Sequence, residues 1–195
     1  MNKSTKILSV ILMLLFFCIE LFAQVKEADK VKEPSTKLEA LLLKKGRLIV
    51  KEFYELGLIS GQYGTKMEIS ALVIYEPGQE SNKTKGLKFE IESGGRYERS
   101  DSSFLDVDEI ESLSNAIKYM VDLSAKWKET TKEYTEVIFS TKSDFRLGFF
   151  QKGTNQTAFS ASGYVGKTSC YFTTIRALEE VNNIITKGSN LLSEK

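Results

Sequence analysis

The chain predicts an α+β fold made of two ββββα units, antiparallel sheets with a helix after each set of strands. Three observations carry that expectation. Apolar residues recur with a period of two in several segments. The period lengthens to three and four at two places, and the same order returns in the second half of the 195 residues.

Two stretches of another kind come first. Residues 1–23 open M-N-K-S-T-K and continue as an almost unbroken apolar run to Ala23. A basic start, an apolar middle and a small final residue make a secretory signal peptide. With Glu20 inside it, the run falls short of the roughly twenty apolar residues that a membrane-spanning helix needs. The expected cut lies between Ala23 and Gln24, although Leu21 fits poorly three places before it. A lipid anchor at Cys18 would put bulky Phe17 where such sites take a small residue. Export removes Lys3, Lys6 and Glu20, so a chain with 27 basic and 26 acidic side chains becomes one with equal numbers of each. It also leaves Cys170 as the lone cysteine, with no partner for an internal disulfide, and expected as a small buried strand residue. The sequons at Asn82 and Asn155 matter only in a eukaryotic source.

Residues 24–45 read as a charged lead-in followed by a short helix, Leu38 to Leu43, stopped by Gly46. A single domain over 46–195 then divides into units at 46–127 and 132–188. In the first unit, L-I-V-K-E-F-Y-E-L-G-L-I (48–59) is rich in strand formers. After a G-Q-Y-G turn, Met67, Ile69, Ala71, Val73 and Tyr75 share one strand face, and Leu72 and Ile74 predict burial of the other face too. Leu87, Phe89 and Ile91 alternate with Lys88, Glu90 and Glu92 in a third strand. A fourth is expected within R-Y-E-R-S-D-S-S-F-L (96–105). From Asp106 the spacing turns helical through Val107, Ile110, Leu113, Ile117 and Met120, with Asp106 and Glu109 placed as a capping box.

In the second unit, strands are expected at 134–141, 145–151, 157–162 and 168–172, then a helix from about Ile175 to Gly188. Sliding the two strand-to-helix joins by 68 residues pairs Phe104 with Phe172, Asn115 with Asn183 and Ile117 with Ile185. Four strands then a helix, twice, with a last join reading Y-F-T-T-I-R-A-L-E-E-V (171–181), resembles the Whirly family of single-stranded-DNA-binding proteins and its half-sized relative, positive cofactor four. The resemblance implies that topology over nearly the whole mature chain. The family's lysine-glycine-lysine-alanine-alanine-leucine-serine motif is absent, so no functional residue is carried over.

The chemistry is sparse. A-S-G-Y-V-G-K-T (161–168) spells the loose phosphate-loop pattern, but such a loop needs a helix directly after it. S-C-Y-F-T-T follows instead, which prefers a strand, and the stretch reads as a turn with Lys167 exposed. The chain has no histidine, which removes the commonest general base and most zinc sites. The acidic run D-V-D-E-I-E (106–111) suits the positive end of a helix better than a catalytic pair or a calcium loop. Basic residues beside aromatics occur at Lys126, Trp127 and Lys128, and at Arg96, Tyr97 and Arg99. One strand face collects Arg146, Phe150 and Lys152, opposite Phe145, Leu147 and Phe149.

That face is the candidate binding face. The expectation is an exported, non-catalytic binding or structural protein of the periplasm or extracellular space. It takes no cofactor or metal, its ligand is a protein or small molecule, and homo-oligomerisation is one way to cover strands apolar on both sides. The alternative is a Whirly-like binder of single-stranded nucleic acid, and a third class is a carboxylate-based hydrolase.

Overall fold

Alternating side chains build two antiparallel meanders, and helical spacing closes each of them with a helix. The computed structural model describes residues 33–94, 99–163 and 168–195, within a body running from Pro34 to Lys195. The signal peptide with its cut at Ala23 and Gln24, and Arg96, Tyr97 and Lys167, lie outside the described residues. A short helix α1 (Lys37–Leu42) precedes β1 (Val50–Ser60), β2 (Lys66–Tyr75), β3 (Thr84–Ser93), β4 (Arg99–Asp106) and α2 (Val107–Trp127). The order then repeats as β5 (Lys132–Ser140), β6 (Arg146–Gly153), β7 (Asn155–Ser162), β8 (Thr168–Tyr171) and α3 (Arg176–Glu194). The sheets are ordered β1-β2-β3-β4 and β5-β6-β7-β8.

The helices do not keep to their own halves. Helix α3 packs on β1, β2 and β3 of the first sheet, while α2 lies against both sheets, on β3 and β4 of its own and on β5 and β6 of the second. The two helices pack on each other, and Ser114 of α2 donates to Asn182 Oδ1 of α3 at 2.7 Å, across a separation of 68 residues. That separation equals the offset between the two joins, so equivalent positions of the two halves meet at the helix contact. One apolar core runs through both sheets and both helices. Within it Phe89 of β3 stacks on Phe145 with ring centroids 4.2 Å apart, and Ser103 of β4 bonds Ser162 of β7 at 2.8 Å. Cys170 of β8 is fully buried, accepts from Thr65 Oγ1 at 3.3 Å and sits against Gly61, in the turn joining β1 to β2.

Two sequence expectations are corrected. Gly188 does not end the last helix, which runs to Glu194. A Cβ at Gly188 would stand 2.6 Å from Leu56 Cδ1 and 2.8 Å from Leu87 Cδ2, so the missing side chain lets α3 lie close on the first sheet. Leu56 reaches that position through a bulge between Glu55 and Gly57. The capping box at Asp106 and Glu109 does not form, because both carboxylates are used elsewhere. Asp106 accepts from the backbone N–H of Lys37 at 2.7 Å and of Leu38 at 3.2 Å, and Glu109 Oε1 accepts from Lys142 N–H at 2.9 Å. A capping box forms instead at α1, between Thr36 and Glu39. The fourth strand, expected within 96–105, is present as an eight-residue edge strand from Arg99 to Asp106.

Burial on both sides of β2 has a definite cause. Leu38 of α1 is fully buried on the outer face of the first sheet against Leu72 and Ile74, with Leu41, Leu42, Ile49 and Phe104 around them. Gly86 of β3 makes room, since a Cβ there would meet Leu38 Cδ1 at 2.6 Å and the Leu105 carbonyl oxygen at 2.1 Å.

Candidate functional site

The outer faces of the two sheets differ. On the first, α1 covers one end, and beyond it charged pairs lie beside exposed Phe53 and Leu58: Lys66 with Glu92 at 2.8 Å, and Lys88 with Glu90, which also accepts from Ser100 Oγ at 2.6 Å. On the second sheet no equivalent of α1 occurs among the described residues, where α2 ends at Trp127 and β5 begins at Lys132.

That outer face is built from cross-strand rows. Glu136, Phe150 and Thr157 form one. Ile138, Gly148, Phe159 and Tyr171 form the next, and Ser140, Arg146, Ala161 and Ser169 the third. Residues in such a row stand about 5 Å apart from strand to strand. Gly148 and Ala161 are the low points, and rings rise around them. Phe150 is the hub, with centroids 5.9 Å from Tyr134, 6.3 Å from Phe159 and 6.4 Å from Tyr171. Together these residues line an open groove of about 290 Å³. Tyr134, Tyr171 and Ile138 remain 54%, 42% and 39% exposed, an unusual amount of apolar surface to gather on one strand face.

Gly148 has a backbone reason as well. A Cβ there would stand 2.2 Å from the Val137 carbonyl oxygen, so β5 approaches β6 too closely for any side chain. The polar members sit at opposite ends of the groove. The Tyr134 hydroxyl donates to Glu136, whose carboxylate pushes the phenol above its ordinary pKa. Arg146 donates through Nη2 to the Gly163 carbonyl at 3.3 Å, while its Nε is buried without a hydrogen-bond partner.

Of the face read from sequence, Arg146 and Phe150 line the groove, and Lys152 does not: it is exposed, one row beyond Phe150. The groove's other walls, Tyr134, Phe159 and Tyr171, come from three different strands. Their meeting on one face, with Phe159 and Tyr171 in a single row, is legible only once register is known. Trp127 closes α2 elsewhere, edge-on to Phe149 at 6.0 Å and beneath Lys132 Nζ at 4.5 Å.

Two other sequence features have plain positions. Thr168 opens strand β8, so the Gly-Lys-Thr spelling is not followed by a helix. Asp106, Asp108 and Glu109 bring carboxylate oxygens within 4.8 Å of one another, a spacing that would suit a hard cation. Their oxygens serve as a clamp. Asp106 holds the start of α1, Asp108 pairs with Lys37 at 3.3 Å and Lys142 at 3.4 Å, and Glu109 holds the β5–β6 turn, its Oε2 left unpaired. Comparison of the chain with protein-family models, curated proteins and solved structures returns no match, so its functional reading rests on its own residues.

Proposed function

We propose that this chain is an exported, non-catalytic binding protein whose ligand sits in the groove on the outer face of the second sheet. The observation that carries the reading is the gathering of Tyr134, Phe159 and Tyr171 around Phe150, with Arg146 at one end of the groove, on a face that nothing in the described chain covers. The basic-apolar-small order of residues 1–23 supports export. The test is an NMR screen of the labelled protein against a small-molecule fragment library, beside the intact mass of the protein from fractionated cells. Shifts gathered on Glu136, Gly148, Phe150, Phe159 and Tyr171, with an N-terminus at Gln24, are the expected result. Shifts confined to other surfaces overturn the groove, and Met1 retained in the cytoplasm overturns export.

The same rings favour one second reading, a Whirly-like binder of single-stranded nucleic acid, because bases stack on exposed aromatics. Against it stands the balance of charge in the processed chain, since phosphate binding is chiefly electrostatic. Titration with an oligothymidylate separates the two. Affinity that falls steeply with salt and is lost in Phe150→Ala supports the nucleic-acid reading, and no binding at low salt removes it.

A further inference from the structure

We infer that the groove takes a small aromatic anion, its ring seated among Phe150, Phe159 and Tyr171 and its carboxylate, sulfonate or phosphate on Arg146. This rests on the groove being the binding site. Arg146 carries a planar fork of donors, and among the described residues it forms no ion pair. Its one hydrogen bond runs from Nη2, and its Nε faces no acceptor although it is shut off from solvent. A buried N–H left in that state is destabilising, and the guanidinium fork matches a two-oxygen anion.

The surroundings favour an anion at this end and no other. The groove's acidic residue, Glu136, pairs with Phe150, whereas Arg146 pairs with Ser140, four residues along β5. Four residues of strand separate them by about 13 Å. Glu136 also already accepts from Tyr134. Beside Arg146 in its own row lies Ala161, too short to fill the space, and beyond that Ser169, whose hydroxyl adds a second donor. The space above Gly148 and Ala161 is bounded by rings, which accept a flat apolar body edge-on or face-on. At about 290 Å³ the groove stands at the small end of ligand sites, which span roughly 300–1,000 Å³, so the body is one or two rings.

The probes are 2-naphthoate and 2-naphthamide, the same two rings with and without the charge. Titration of the purified protein by calorimetry is expected to give naphthoate about tenfold tighter binding, the scale of one charge-assisted pair. In Arg146→Met the naphthoate affinity falls to that of the amide, and the amide is unchanged. In Phe159→Ala both weaken. Equal affinities in the native protein, or an Arg146→Met that keeps its preference for naphthoate, overturn the anion while leaving the groove as a site. If neither probe binds, or if Phe159→Ala alters neither, the groove reading falls and the anion with it. Urea midpoints of the variants guard against loss of fold, and the native two-probe comparison needs no variant.

Discussion

Gly148 shows how one absent side chain serves two purposes. It lets β5 come within a distance no Cβ tolerates, and it leaves the low point between Phe150 and Arg146. Gly148→Ala is therefore expected to destabilise the protein by about 1–3 kcal/mol, the usual range for overpacking, because the obstacle is backbone and cannot rotate away. A urea denaturation midpoint equal to that of the native chain would refute this. Gly188 is the contrasting case. Its neighbours, Leu56 Cδ1 and Leu87 Cδ2, are side-chain ends, and alanine there gains helix propensity while crowding the sheet. From sequence alone Gly188 reads as a helix stop, since glycine is the commonest residue just past a C-terminus. What distinguishes a stop from a packing contact is the strand lying under it, which local spacing does not record.

At the scale of elements, α1 accounts for most of the asymmetry between the sheets. Its placement depends on Asp106, nearly fully buried, whose carboxylate accepts both backbone N–H groups that open the helix. Asp106→Ala should cost about 2–3 kcal/mol, the scale of a charged acceptor lost to buried donors. It should also raise hydrogen exchange at Lys37 and Leu38 before it does so in β2. The same region predicts acid sensitivity. Burial pushes the Asp108 carboxyl up, but Lys37 and Lys142 together hold it below its ordinary value. Lys88 and Ser100 lower Glu90, and the hydroxyls of Tyr54 and Tyr75 lower Glu52. Groups whose folded pKa is depressed contribute stability above the unfolded value, near 4, and lose it as pH falls through the folded value. The urea midpoint should thus stay level from pH 7 to about 5 and drop below 4, less steeply in Asp108→Asn. Strand existence, strand faces and the burial of Cys170 were legible from period and residue type. The true partner of Asp106 was not, because it lies 69 residues away at Lys37 N–H.

For the molecule as a whole, the two ββββα units follow sequence order, and the exchange of α3 onto the first sheet, with α2 lying across both, changes what those units mean. A chain cut to residues 46–127 keeps α2 on β3 and β4 but loses α3 and the second sheet, leaving the core around Met67, Ile69, Leu87 and Phe89 incomplete. Such a fragment is expected to lack cooperative unfolding, and residues 132–195 likewise. Mixing the two should restore a single transition seen by circular dichroism, and a fragment that folds by itself would contradict the exchange. The groove was half legible on the same grounds. Arg146 and Phe150 lie on one strand and alternate visibly, whereas Phe159 and Tyr171 join them only through the pairing of β6 with β7 and β7 with β8.

The crossing of the helices also orders events in time. As the chain is made, β1 to β4 and α2 emerge first, yet the layer that seals the first sheet is the 19-residue α3, the last element of all. Until α3 has emerged, its landing strip at Leu56 and Leu87 lacks the helix that covers it. The core shared by the two halves is therefore completed only when the last element is in place.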